Sequence, residues 1–113
     1  MHLKNCSLLT LPDGTVQLAP AYDLVATRLA LSQDPEESAL AVNGKKNRLQ
    51  RTDFETFAQL AGIPAKAVDN TFRRFFKQKD VALKEISRSF LSEGLRREYA
   101  ELLRVRCAEL ENF

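Results

Sequence analysis

Apolar residues alternate with polar ones near the start of the chain, then recur at helical spacing from about residue 52 onward. Cys6-Ser7-Leu8-Leu9-Thr10-Leu11 reads as a strand and Thr15-Val16-Gln17-Leu18 as its return. Between them, Pro12-Asp13-Gly14 is a turn in which proline presets φ and glycine is free to make it positive. Pro20 has no N–H for a ladder, so a loop begins there and carries Tyr22 and Asp23. Residues 28–31 are compatible with a short strand, and residues 32–38, with Asp34-Pro35-Glu36-Glu37, form a polar surface loop. A second hairpin is predicted from residues 39–42 and 45–49, because Asn43-Gly44 between short apolar runs favours a tight turn with positive φ at both positions.

Thr52-Asp53-Phe54-Glu55 has the form of a capping box, in which hydroxyl and carboxylate each satisfy an end amide. Phe54, Phe57 and Leu60 would share one helix face, Gly62 would stop the helix and Pro64 would start another. The next helix places Val68, Phe72, Phe75 and Phe76 on its apolar side and, after a break near Lys79-Asp80, continues through Val81, Leu83 and Ile86. A last helix from about Ser92 would bury Leu95, Tyr99, Leu102, Leu103, Cys107 and Leu110. The expected fold class is α+β: N-terminal β-hairpins over residues 1–50, then a helical subdomain over residues 51–113, in a single domain.

Composition narrows the classes. No apolar run approaches the roughly 20 residues that cross a bilayer. The first residues lack the layout of a secretory signal, so a cytoplasmic chain is expected. Cys6 and Cys107 stand at opposite ends without metal-type spacing, and both read as small buried apolar residues. The net charge of +2 is too weak to point to nucleic acid. The basic excess lies in the second half, where residues 64–113 carry eleven Lys or Arg against eight Asp or Glu.

The candidate chemistry sits on two loops. Asn5 precedes the first strand and Asp23 follows the second, eighteen positions on. An amide on one loop, a hairpin, and a carboxylate on the next is how a kinase-type phosphotransfer site places its two metal ligands. Mg²⁺ prefers such hard oxygens and completes its shell with water and phosphate. Asp23 would supply the negative charge and Asn5 a neutral oxygen. Lys4 would approach phosphate as a point charge, and His2 would brace the loop or line a nucleotide pocket. Taken singly, Asn5 and Asp23 are ordinary turn residues; their order around the hairpin raises the joint reading.

The stretch His2-Leu3-Lys4-Asn5-Cys6-Ser7-Leu8-Leu9, followed by Leu18-Ala19-Pro20-Ala21-Tyr22-Asp23-Leu24, resembles the C-terminal kinase region of HipA-like serine/threonine kinases. Those kinases are the toxins of bacterial toxin–antitoxin systems. Their loop reads Asp-x-His-x-Lys-Asn before a short β segment, and a Leu-x-Pro-x-Tyr-Asp stretch supplies the second metal ligand. The resemblance implies part of the C-terminal lobe of a kinase-like fold, with Mg²⁺ and ATP as cofactors. It makes Asn5 and Asp23 the metal ligands, and His2, Leu3, Lys4, Asn5, Tyr22 and Asp23 the border of the nucleotide phosphates. The family's general-base Asp would fall immediately before Met1, and the nucleotide-covering N-terminal lobe has no counterpart in these residues. The expectation is therefore a kinase fragment that is inactive alone.

Two other readings follow from different residues. Arg73-Arg74-Phe75-Phe76-Lys77-Gln78-Lys79 mixes cations with aromatics, a pattern that meets acidic surfaces, but a helix with a buried aromatic side explains it as well, and direct nucleic-acid binding is not expected. The hairpin side chains Leu8, Leu9, Val16 and Leu18 would be sticky if uncovered. That alternative is an interaction module without catalysis, which self-associates through the hairpin or docks a separately encoded N-terminal kinase lobe or an antitoxin.

Overall fold

The computed structural model describes residues 3–31, 33 and 36–111. Its first regular pair is an antiparallel hairpin, β1 (Leu8–Thr10) and β2 (Val16–Leu18), in the register Leu8 to Leu18, Leu9 to Gln17 and Thr10 to Val16. The turn closes through Leu11 N–H to the Thr15 carbonyl at 2.8 Å, and Asp13 Oδ1 accepts the Thr15 N–H at 2.9 Å. Leu8, Thr10, Val16 and Leu18 share one face of this ribbon, and both Leu8 and Leu18 are 68% exposed. Both leucines are thus mostly open to solvent.

Residues 28–31 are not a strand. They belong to a short helix, α1 (Thr27–Ala30). The N–H groups of Leu29, Ala30 and Leu31 bond back to Ala26 and Thr27 carbonyls at 2.7–3.2 Å, so no strand partner is needed, and α1 packs on the last helix instead.

The second hairpin is reduced to its turn. Asn43 and Gly44 take φ of 51° and 73°, and a single bridge joins Val42 to Lys45. Side chains replace the ladder on either side. Glu37 accepts the N–H groups of Arg48 and Leu49 at 2.9 and 3.0 Å, while Lys46 O accepts those of Glu37 and Ser38.

Four helices follow: α2 (Arg51–Leu60), α3 (Ala65–Phe76), α4 (Lys79–Arg88) and α5 (Glu93–Glu111). The α2 cap lies two residues before the expected box. Asp53 accepts the Gln50 N–H at 3.0 Å and returns its own N–H to the Gln50 carbonyl, so Thr52 is already inside the helix. Gly62, at φ 70°, ends α2, with Ile63 N–H reaching the Ala58 carbonyl at 2.8 Å, and Pro64 caps α3. Ser92 caps α5, its Oγ 3.3 Å from the Leu95 N–H.

The α2 face differs from the expected one. Arg51, Asp53 and Ala58 are buried and Phe54 is half-buried, whereas Phe57 and Leu60 face solvent. Phe54 meets Phe72 edge-on at 6.0 Å, Phe72 stacks on Phe76 at 5.9 Å, and the Arg51 guanidinium lies 4.9 Å over the Phe72 ring. Phe75 turns outward, against expectation. The α4–α5 pair is the most extensive packing, burying Ile86 and Cys107; the other apolar residues expected on α5 are half-buried, and Leu95 is exposed. Cys6 is exposed rather than buried, and both thiols are free.

The architecture is α+β, a two-stranded ribbon followed by helices. Among the described residues, no helix is long and apolar enough to cross a membrane. The accessible surface is 8899 Å², against about 6300 Å² for a compact chain of this mass. Much apolar surface therefore remains open to solvent.

Candidate functional site

The hairpin register brings the two loops together. Beyond Leu8 and Leu18, the Ala19 N–H still bonds the Ser7 carbonyl at 2.8 Å, so the chains leave the ribbon side by side. Before β1 runs a 3₁₀ turn, Leu3–Asn5; after β2, residues 19–26 have no regular structure. Two cross-links set their alignment. The Tyr22 hydroxyl donates to the Lys4 carbonyl at 3.1 Å, and Asn5 Nδ2 approaches the Asp23 carbonyl at 3.4 Å.

The two residues differ in environment. Asn5 is buried, its amide nitrogen committed to the neighbouring loop, which leaves the amide oxygen for another partner. Asp23 is exposed and left-handed, with φ of 53°. Among the described residues, no hydrogen bond or ion pair engages its carboxylate. Asp is among the few non-glycine residues that enter this region readily, as single residues in turns.

Asn5 and Asp23 line one cavity of about 480 Å³, together with Leu24, Val25, Ala26, Thr27 and Tyr99. Among the described residues, no three His, Cys, Asp or Glu side chains cluster as a metal site. One neutral and one anionic oxygen donor suit a hard cation that keeps several waters. Lys4 is exposed beside them, Leu3 lies in the 3₁₀ turn, and His2 falls outside the described residues. Tyr99 and Thr27 were not foreseen as site residues. Tyr99 carried only the signature of an apolar α5 position, and nothing local in the sequence ties it to residue 5 or 23.

A larger cavity, about 700 Å³, lies between α1, the loop before α2, and α5. Three of its charges answer one another: Arg106 pairs with Glu37 at 2.5 Å and with Glu109 at 2.6 Å. Burial pushes the Glu37 carboxyl up, but the N–H groups of Leu49 and Arg48 and the Arg106 guanidinium outweigh it and leave it lowered. Asp53 is likewise structural. The Gln50 N–H, Lys45 and Asn43 hold its carboxyl down to about 2.

The family model for the HipA-like C-terminal domain matches residues 1–83. The chain belongs to this family. No curated protein matches it. The HipA-like match includes both Asn5 and Asp23 and ends within α4, so α5, which contributes Tyr99 to the cavity, lies beyond the matched span.

Proposed function

We propose that this HipA-like domain carries the Mg²⁺–ATP ligand loops of a serine/threonine protein kinase. The observation that supports the reading is the shared cavity of Asn5 and Asp23, with the two loops cross-linked at 4 to 22 and 5 to 23. Asp23 supplies the anionic oxygen and Asn5 the neutral one. Lys4 offers a mobile positive charge toward phosphate oxygens. Bound Mg²⁺ would neutralise charge on the β- and γ-phosphates during transfer.

These residues hold and orient; none of them takes the proton of an acceptor hydroxyl. A general base contributes about 10²–10⁴-fold, and the reading assigns it to a residue outside this cavity. Two oxygen ligands hold Mg²⁺ only loosely against water, so binding of Mg²⁺–nucleotide by these loops is expected to be weak. The test is paramagnetic broadening of amide signals by Mn²⁺, with and without ATP. Broadening centred on Asn5 and Asp23, and lost in Asp23→Ala, is expected. Broadening unchanged by that substitution refutes the assignment.

The exposed ribbon face favours a second reading. Leu8, Val16 and Leu18 present a continuous apolar strip, which in an interaction module without catalysis would engage another protein chain. Light scattering that shows a monomer at every concentration would count against self-association through that strip.

A further inference from the structure

We propose that Tyr99 is a positioning residue for the Asn5–Asp23 pair, so that helix α5 forms part of the cation site. This rests on the cation-site reading above and adds to it a wall that lies outside the family match. The segment that carries Asp23 has little to hold it in place. Residues 19–26 have no regular structure, Leu24 and Val25 face solvent, and Asp23 occupies the left-handed region. On one side, the contacts from Lys4 and Asn5 restrain it. On the other, the segment runs directly into α1, which packs on α5, and Tyr99 lines the cavity beside Asp23.

Tyr99 is also the link to the helical core. It lines a second cavity with Ala82, Ile86 and Leu103, between α4 and α5. The side chain is half-buried, between the α4–α5 pair and the irregular segment that carries Asp23. Such a wedge fixes the distance between carboxylate and amide, as outer-shell partners fix metal ligands elsewhere.

The composition offers a direct probe. The chain has no tryptophan and two tyrosines, Tyr22 and Tyr99, and both stand at this site. Terbium(III), a hard cation that seeks the same oxygens, emits when a nearby tyrosine transfers excitation to it. In the unsubstituted chain, sensitised emission that Mg²⁺ displaces is expected from both tyrosines, and Tyr99→Phe, which leaves the Tyr22–Lys4 and Asn5–Asp23 links in place, should lose the share that Tyr99 supplies. In the Tyr99→Leu chain, Tyr22 reports, and the terbium affinity should fall about 10- to 100-fold with the unfolding midpoint little changed. Tyr99→Phe should retain the affinity, since the ring does the packing.

Wild-type affinity in Tyr99→Leu overturns the proposal, as do equal losses in Tyr99→Phe and Tyr99→Leu. Emission undiminished in Tyr99→Phe sets Tyr99 away from the cation, which overturns the proposal too and leaves the cation site standing. Emission indifferent to Asp23→Ala overturns the cation site itself and the role of Tyr99 with it.

Discussion

Glu37 and Arg106 meet at 2.5 Å, joining the loop before α2 to the last helix. Both side chains are largely shielded, at 12% and 24% exposure, and Glu37 also receives two backbone N–H groups. Removing the Glu37 charge leaves Arg106 with Glu109 alone and gives the Arg48 and Leu49 N–H groups a weaker acceptor. Glu37→Gln should cost about 1–3 kcal/mol, read as a lower urea midpoint at unchanged slope. An unchanged midpoint would show that the pair contributes nothing.

Acid should loosen the same joint. Asp53 is held at about 2, below its ordinary 3.8, and Glu37 is lowered as well. Both groups bind fewer protons in the folded chain than in the unfolded one, so stability rises with pH through the acid range. The Asp53 contribution is complete above its unfolded value of 3.8 and disappears as pH falls through about 2. Unfolding free energies at stepped pH should show that decline, and Asp53→Asn should flatten it.

The two thiols should react at very different rates. Cys6 is exposed, while Cys107 is 2% exposed and burial pushes its thiol up, with Lys79 opposing and Glu111 adding to the shift. A thiol reagent under native conditions should label one cysteine quickly. The second should be labelled only on unfolding, and Cys6→Ser should remove the fast phase. Two fast thiols would contradict the packing of α5.

Asp23 should be a site where function costs stability. Its carboxylate has no partner among the described residues and its backbone is left-handed, so glycine fits the conformation better. Asp23→Gly is expected to raise stability by up to about 1 kcal/mol while abolishing Mn²⁺ broadening at the loop. A destabilised Asp23→Gly would mean that the carboxylate supports the fold.

The apolar ribbon should tolerate charge. Leu8→Lys with Leu18→Lys places lysine at two positions that are mostly open to solvent. Surface changes of this kind stay within about 0.5 kcal/mol, which thermal unfolding can check.

The ribbon and helices α3 to α5 were legible because local signals sufficed. Period-two alternation around Pro12-Asp13-Gly14, helical spacing, Gly62 and Pro64 each act within a few residues. The loop before α2 was not, because its geometry is set from a distance: Glu37 caps Arg48 and Leu49, and Asp53 draws in Asn43 and Lys45. Four residues at 28–31 were too few for periodicity to separate strand from helix. At the candidate site, the order of Asn5 and Asp23 around the hairpin was legible; that the two line one cavity is a property of the fold. Two details needed the fold: Asn5 spends its N–H on a carbonyl rather than leaving both amide atoms free, and α5 supplies a wall.

Among the described residues, only Leu49, Ala58, Ile86 and Cys107 are buried hydrophobics, while Lys45–Asp53 and Glu37–Arg106 tie the front of the molecule to its helices. Cohesion between those parts thus depends more on Coulombic attraction than on a greasy interior. A contact pair this short and shielded lies well inside a screening length near 10 Å at about 0.1 M, so added electrolyte should leave the loop attached to α5, whereas neutralising Glu37 with acid should release it before the helices themselves melt.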